Sequence, residues 1–358
     1  LSLLPDIRKI QKRHLNRVGV LDIKSLAGAK KSILKKAAGA TGVTLNGFGK
    51  LKLQAVSFLK NEPVPRGMFA SPREACLTIT ERELDLPGEK EGVMALDFTD
   101  RDLVHVHFDM ESNPYFSVEY LFGVMVDEPG KNGRRKKGPA EFYTAHTLSP
   151  NEEYKAFQSF LGRMDELRAE FGDEGFIIFH YAHYEPTHLL SLAEKYKDRS
   201  ANLIDRVDYL NQRMVDLYKL IRKTYYLPVG SYSIKEVVPC IRLLMEKKGL
   251  KGGHEWKKIK SLEELALALK KSRWPAAEIK DSLKDVRAVM KDFDLRDEAM
   301  MFDASADMSV VWYNLYVERK KRVWMKLIEI YNEDDLCATR ALVNWFLFMQ
   351  QQTKGQKQ

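Results

Sequence analysis

The stretch VHVHFDM, residues 104–110, with Glu111 directly after it, is apolar and β-branched in the manner of a sheet strand, and it ends in two acids. Asp109 and Glu111 are two positions apart, so in a strand both carboxylates point to the same face of the sheet. Unpaired buried charge is expensive, and a bound divalent cation is its usual compensation. The competing reading is an edge strand whose acids face water. Working outward, YFSVEYLFGVMVDE (115–128) and EFYTAHT (141–147) predict two further strands, separated by the basic loop PGKNGRRKKGPA. Ser149-Pro150-Asn151-Glu152 supplies an N-cap, a proline at the first helical position and a capping-box glutamate, and Tyr154, Phe157, Phe160, Leu161 and Met164 continue at helical spacing. GFIIFHYA (175–182) predicts a fourth strand, running into a helix through PTHLLSLAEKY. Helices are expected at 203–224, 233–246, 262–271, 276–291 and 308–318, with a long one from 320 through Trp345. Three strands followed by alternating helix and strand predict an α/β fold with a mixed sheet flanked by helices.

Residues 1–60 have a different character. They hold 13 Lys and Arg against Asp6 and Asp22, a net +11; the whole chain carries +8, so the remainder stands at −3. A basic segment on a slightly acidic body suggests a handle for a polyanion, most simply nucleic acid. The segment predicts a small all-helical domain, with helices around 6–17, 21–37 and 50–60. In VTLNGFGKLKLQAV (43–56), Gly47-Phe48-Gly49 precedes an apolar-periodic helix beginning at Lys50, which resembles the glycine hairpin of a helix-hairpin-helix, where backbone N–H groups and the neighbouring Lys50 and Lys52 meet a phosphate. A tight turn with no ligand is the alternative. NEPVPRGMFASPREA (61–75), with three prolines and no periodicity, is expected to be a linker, leaving a main domain at 76–350 and a polar tail at 351–358. In the basic loop, Arg134 and Arg135 are candidates for contact with a phosphate backbone, a solvated hairpin tip being the other reading.

At 358 residues the length suggests two domains. No uncharged apolar run approaches a membrane span, and LSLLPDIRKIQKRH places its apolar residues ahead of its basic ones, the reverse of a signal peptide, so a cytoplasmic location is expected. Cys76, Cys240 and Cys337 are widely spaced and form no CxxC pair, which indicates neither a zinc knuckle nor a disulfide framework.

Two more places carry acids in suggestive positions. HYAHYE leaves Glu185 at the start of a helix, and YNEDDLCAT puts Tyr331 and Asp335 at i and i+4 on one helical face. His180, His183 and His188 surround Glu185, but no cysteine or HxxxH pair completes a tetrahedral set, so packing or substrate contact is expected of them.

With these motifs the chain resembles the DEDD superfamily of 3′–5′ exonucleases, tyrosine type, in the RNase H-like subgroup associated with RecB-type nuclease and helicase domains. Asp109-Met110-Glu111 matches the strand ending D-x-E, FHYAHYE ending in Glu185 matches the second motif, and Tyr331 to Asp335 matches Y-x-x-x-D. MVDLYKLIRK, with Asp216, and SYSIKEVVP resemble two intervening segments of that subgroup, and the glycine-hairpin segment is common ahead of it. The wider superfamily has Asp where this chain has Glu185, one methylene longer. The resemblance covers about residues 98–350 and marks 251–306 as an insertion. It implies an RNase H-like fold and a metal-dependent 3′–5′ exonuclease on DNA, using two Mg²⁺ or Mn²⁺ ions. Asp109 would bridge the ions, with Glu111, Glu185 and Asp335 completing the ligands, Asp216 auxiliary, and Tyr331 orienting the attacking water. It also implies a possible helicase or RecB-type nuclease partner. The alternative is a nuclease-fold module of weak or no activity that binds nucleic-acid ends or partners in a helicase–nuclease assembly.

Overall fold

The structure is a computed structural model that describes residues 1–39, 44–66, 97–130, 135–250, 253–257, 259–295, 297–303 and 305–355. Arg134, Cys76 and most of the expected linker lie outside the described residues. The chain opens with four helices, α1 (Lys9–Arg17), α2 (Ile23–Gly28), α3 (Lys31–Gly39) and α4 (Leu45–Lys60), followed by the two-residue strand β1 (Val64–Pro65). The main sheet is made of β2 (Val104–Asn113), β3 (Val118–Glu128), β4 (Lys136–Thr144), β5 (Phe176–His180) and β6 (Met214–Asp216). Between the last strands lie α5 (Pro150–Phe171), α6 (Tyr184–Tyr196) and α7 (Leu203–Asn211); after β6 come α8 (Leu217–Thr224) and β7 (Tyr225–Tyr226). The chain continues through α9 (Ile234–Lys247), α10 (Leu262–Lys271), α11 (Ala276–Asp292), α12 (Glu298–Met301), α13 (Ala306–Arg319) and α14 (Arg322–Gly355).

Strands order as β4-β3-β2-β5-β6, with β2–β3 and β3–β4 antiparallel and β2–β5 and β5–β6 parallel. This is the expected RNase H-like mixed sheet, flanked by helices and preceded by a helical region. The alternation of β2 sorts its residues. Val104, Val106, Phe108 and Met110 enter the core beneath α5, where Phe108 stacks on Phe160 at 4.7 Å between ring centroids. His105, His107, Asp109 and Glu111 take the other face, over which α14 runs: Asn332 and Arg340 of that helix reach Asp109 and, on β3, Asp127. A second core, with Phe179, Val215, Leu220, Leu342 and Trp345, fills the space between that face and helices α8, α9 and α14.

The structure changes several sequence-based expectations. Helix 203–224 is interrupted, because Met214-Val215-Asp216 pairs with Ile178, Phe179 and His180 and becomes the fifth strand; a shared ladder with β5 outweighs the helical spacing on either side. The third strand begins earlier than expected, at Lys136 rather than 141, and the second later, at Val118. Helix 21–37 breaks at Ala29-Lys30 into α2 and α3. In the basic segment, Gly47-Phe48-Gly49 is no hairpin. Thr44 N-caps α4 by accepting the Gly47 N–H at 3.2 Å, and the buried face formed by Phe48, Leu51 and Ala55 carries the helix back through both glycines. The start of the expected linker is also tied down, since Val64-Pro65 pairs with Tyr225-Tyr226 and Arg66 lies 4.0 Å above the Tyr226 ring. Residues 351–355 of the expected polar tail continue α14. No described helix is long and apolar enough to cross a membrane.

Candidate metal centre

Asp109, at the middle of β2, and Glu111, two residues further, stand beside a register shift between Glu111 and Ser112 that bends the strand end. Asp335 comes from α14. One ligand oxygen from each of the three lies within 4.8 Å of the others. Glu111 and Asp335 are each 8 % exposed and Asp109 is half-buried, so the three carboxylates share a space largely shielded from water. Burial, reinforced by the Asp335 and Glu111 charges, holds Asp109 well above its ordinary 3.8. Burial and then Asp335 push Glu111 up to about 8, and burial raises Asp335 to about 7 despite the pull of Lys235 and the Tyr331 hydroxyl. Asp335 Oδ1 is buried without a hydrogen-bond partner. A hard oxygen set with negative charge in excess and an orphaned buried carboxylate oxygen fits a divalent cation such as Mg²⁺ or Mn²⁺.

The protein surrounds the carboxylates with neutral donors. Asn332, wholly buried and one residue after Tyr331, donates its amide to Asp109 Oδ2 and also bonds Glu111. Its approach depends on Gly123, the residue of β3 directly opposite Asp109: a Cβ there would stand 1.8 Å from Asn332 Oδ1. Ser309 of α13 donates to Glu111 Oε2 at 2.8 Å and accepts from the Tyr120 hydroxyl at 2.9 Å. Tyr331 hydrogen-bonds Asp335, and its phenol is pushed far above its ordinary range by burial and then by Glu111, Asp335 and Asp109. Lys235, an exposed residue near the start of α9, brings Nζ to 3.4 Å from the Tyr331 hydroxyl.

Glu185 is buried in the first turn of α6, and its charge is among those that raise Asp109 and Asp335. It is not in the gathered set. Its Oε2 lies 3.3 Å from His180 Nδ1. Asp216 is committed to backbone: its Oδ1 accepts the N–H groups of Ala182 at 3.0 Å and of Lys219 at 3.2 Å, capping α8. His188 contacts Glu119 at 2.6 Å and stacks on Tyr184 at 3.8 Å, while His183 is exposed, and these histidines form no ligand group.

The nucleic-acid candidates divide. Arg135 spends its guanidinium on the backbone carbonyls of Leu103 and Asp100, and Lys52 donates to the Ala29 carbonyl at 2.7 Å. Both hold loops in place. Lys50 is exposed, whereas Gly47 and Gly49 are interior to α4 and offer no hairpin.

Sequence reading missed Asn332, Ser309, Gly123 and Lys235. Lys235 sits in SYSIKEVVP, a segment already singled out, and Asn332 adjoins Tyr331; nothing local marks Ser309 or Gly123. A family model described as the RNase H superfamily matches residues 269–347, beginning inside the expected insertion, and one described as a domain of unknown function, DUF2779, matches residues 104–233. No curated protein and no solved structure matches the chain. Tyr331, Asn332 and Asp335 lie in the first match and Asp109, Glu111 and Glu185 in the second; with the mixed sheet that joins them, the chain carries an RNase H-like domain, a fold that goes with nuclease-type activity.

Proposed function

We propose that the chain is a metal-dependent nuclease acting as a 3′–5′ exonuclease on DNA. The observation that carries this reading is the convergence of Asp109, Glu111 and Asp335 in a buried space with more carboxylate than compensating charge. Asp109, Glu111 and Asp335, with Glu185 as the remaining carboxylate, would hold two Mg²⁺ or Mn²⁺ ions. Such ions, when bound, activate water, polarise phosphorus and stabilise the leaving oxygen of a phosphodiester.

The chain's own residues have separable tasks. Asn332 and Ser309 hold Asp109 and Glu111 in one orientation, so the ligands need not reorganise. A phenol held protonated cannot serve as a base, so Tyr331 acts as an O–H donor that orients the attacking water and keeps Asp335 in place. Lys235, exposed and within reach of Tyr331, brings a positive charge that complements the phosphate being cut. The net +11 of residues 1–60 supplies the attraction for the polyanion.

A second reading has one specific observation behind it: Glu185 is bonded to His180 and stands outside the gathered carboxylates. A chain left with three ligands would bind nucleic-acid ends and cut them poorly. Incubating 3′-labelled and 5′-labelled single- and double-stranded DNA, and RNA, with Mg²⁺ or Mn²⁺ separates the two. Stepwise loss from the 3′ end, absent in Asp109→Ala, is the expected result; no cleavage above the Asp109→Ala control would remove the enzyme reading.

A further inference from the structure

A concavity of about 400 Å³ has Asp6, Tyr181, Ala182, Tyr218, Arg222 and Ser233 in its lining. We infer that it binds one nucleotide of a single-stranded segment of the substrate, its phosphate taking the place that the Asp6 carboxylate now occupies on Arg222. This rests on the nuclease reading only for the identity of the polymer; the cavity is defined by its own residues.

Its position is the first support. Tyr181 and Ala182 follow directly on His180, which bonds Glu185, and Ser233 is two residues before Lys235, which reaches Tyr331. Cavity and carboxylates therefore share two continuous chain segments. On the opposite side, Pro5 and Asp6 belong to the basic region, which is fastened to the same neighbourhood by Ser57 Oγ donating to the Tyr226 carbonyl at 2.9 Å and by Gln54 donating to the Leu227 carbonyl. A strand held by the basic helices meets this cavity on its way to the acids.

Its chemistry is the second support. Arg222 is held between rings, its Cζ 5.2 Å from the Tyr218 centroid and 5.7 Å from the Tyr232 centroid, and it donates to the Tyr218 hydroxyl. Its other terminal nitrogen donates to Asp6 Oδ2. The guanidinium is thus preorganised with an anion already bound, and that anion is the replaceable part. Asp6 is an exposed residue, so water can solvate its carboxylate when a phosphate displaces it from Arg222. Exchanging a carboxylate for a phosphate leaves Arg222 paired throughout. Pro5, Tyr181 and Tyr218 add an apolar and aromatic wall suited to a sugar and base. A volume near the low end of the range of about 300–1,000 Å³ for small-ligand sites suits one nucleotide rather than a base pair.

The test uses the full chain carrying Asp109→Asn, so that nothing is cut, with fluorescently labelled oligothymidylate and oligouridylate titrated over a range of salt. Arg222→Gln is expected to weaken binding about tenfold, the loss of one charge-assisted contact. It is also expected to make the logarithmic salt slope shallower by about 0.7, the value for one phosphate of a single strand. Asp6→Asn, at an exposed position where folding is not at stake, is expected to tighten binding about threefold by removing the competing anion. Binding of both variants equal to the parent overturns the proposal, and if Arg222→Gln does not fold, an unchanged or weaker Asp6→Asn does so alone. The nuclease reading fails separately. If the otherwise wild-type chain does not cut while Arg222→Gln weakens binding, the cavity stands and the nuclease falls. If it cuts and Arg222→Gln leaves KM unchanged, the nuclease stands and the cavity falls.

Discussion

One face of β2 carries His105, His107, Asp109 and Glu111 in a row, and its two halves have opposite fates. In the first half burial wins: His105 packs edge-on against Phe179 at 5.0 Å and His107 stacks on the same ring at 5.8 Å, and burial holds both imidazoles below their ordinary range. The carboxylate of Asp127, 3.4 Å from His107, is matched by Arg340 at 2.6 Å. In the second half the burial is less complete, with Asp109 half-buried, and three carboxylates meet neutral donors and the exposed Lys235. The difference teaches that a row of polar residues on a buried strand face marks a site only where the charge fails to balance. Histidine can enter a core by losing its proton; adjacent carboxylates kept ionised need a cation.

Neutralising the acid half should have the largest effect. Asp109→Asn or Asp335→Asn is expected to lower metal-dependent cleavage by about 10³-fold or more, with metal affinity by calorimetry falling in parallel, since each removes part of the set that polarises the reacting phosphate. Cleavage at the wild-type rate by either variant would place the chemistry elsewhere. Next come the residues that aim the acids: Asn332→Ala, and Gly123→Ala, which displaces Asn332 without removing a polar group, should each cost about 10–100-fold in activity or metal affinity. If Gly123→Ala matches wild type while Asn332→Ala does not, the close approach at Gly123 has been relieved by some other shift.

Acidity offers a third way to sharpen the comparison. Glu111 rises from 4.5 to about 8 and Asp335 from 3.8 to about 7 on folding, so between about pH 4 and 8 the native state binds more protons than the unfolded chain. Stability from these groups is therefore present at low pH and is lost as pH rises through their folded values. In EDTA the melting temperature should fall from pH 5 to pH 8, and Mg²⁺ or Mn²⁺ should restore more of it at pH 8. A melting temperature flat across that range, or a metal effect independent of pH, would show the carboxylates to be uncoupled from folding. The smallest effect belongs to the histidine half: His105→Leu should change stability by less than about 1.5 kcal/mol and leave metal affinity untouched.

Much of this was legible in the sequence because it is periodic. The D-x-E pair, the i to i+4 spacing of Tyr331 and Asp335, and the Ser149-Pro150 helix start are local patterns, and the mixed sheet flanked by helices follows from the succession of strands and helices. What was not legible depends on contacts between distant segments. Asn332 is one more polar helical residue until Asp109 is opposite it, and Gly123 is lost in an apolar run until Asn332 needs its space. Ser309 lies in a helix with no motif. β6 is three residues long and followed at once by a helix, too short for period two to show. The glycines of α4 look like a hairpin because their residue type is informative locally, and buried apolar spacing overrules it. Glu185 was legible as an acid at a helix start, but its bond to His180 was not.

The use of α14 for Asn332 and Asp335 has a consequence in time as well as space. Asp109 and Asn332 are 223 positions apart, and a chain is made and folds from its N-terminal end. Until α14 has been synthesised and laid across the sheet, β2 carries two acids with neither their amide nor their third partner. Whatever cutting the centre performs, a chain that stops short of α14 lacks Asn332 and Asp335 and cannot perform it, so the centre is assembled only once that helix is in place.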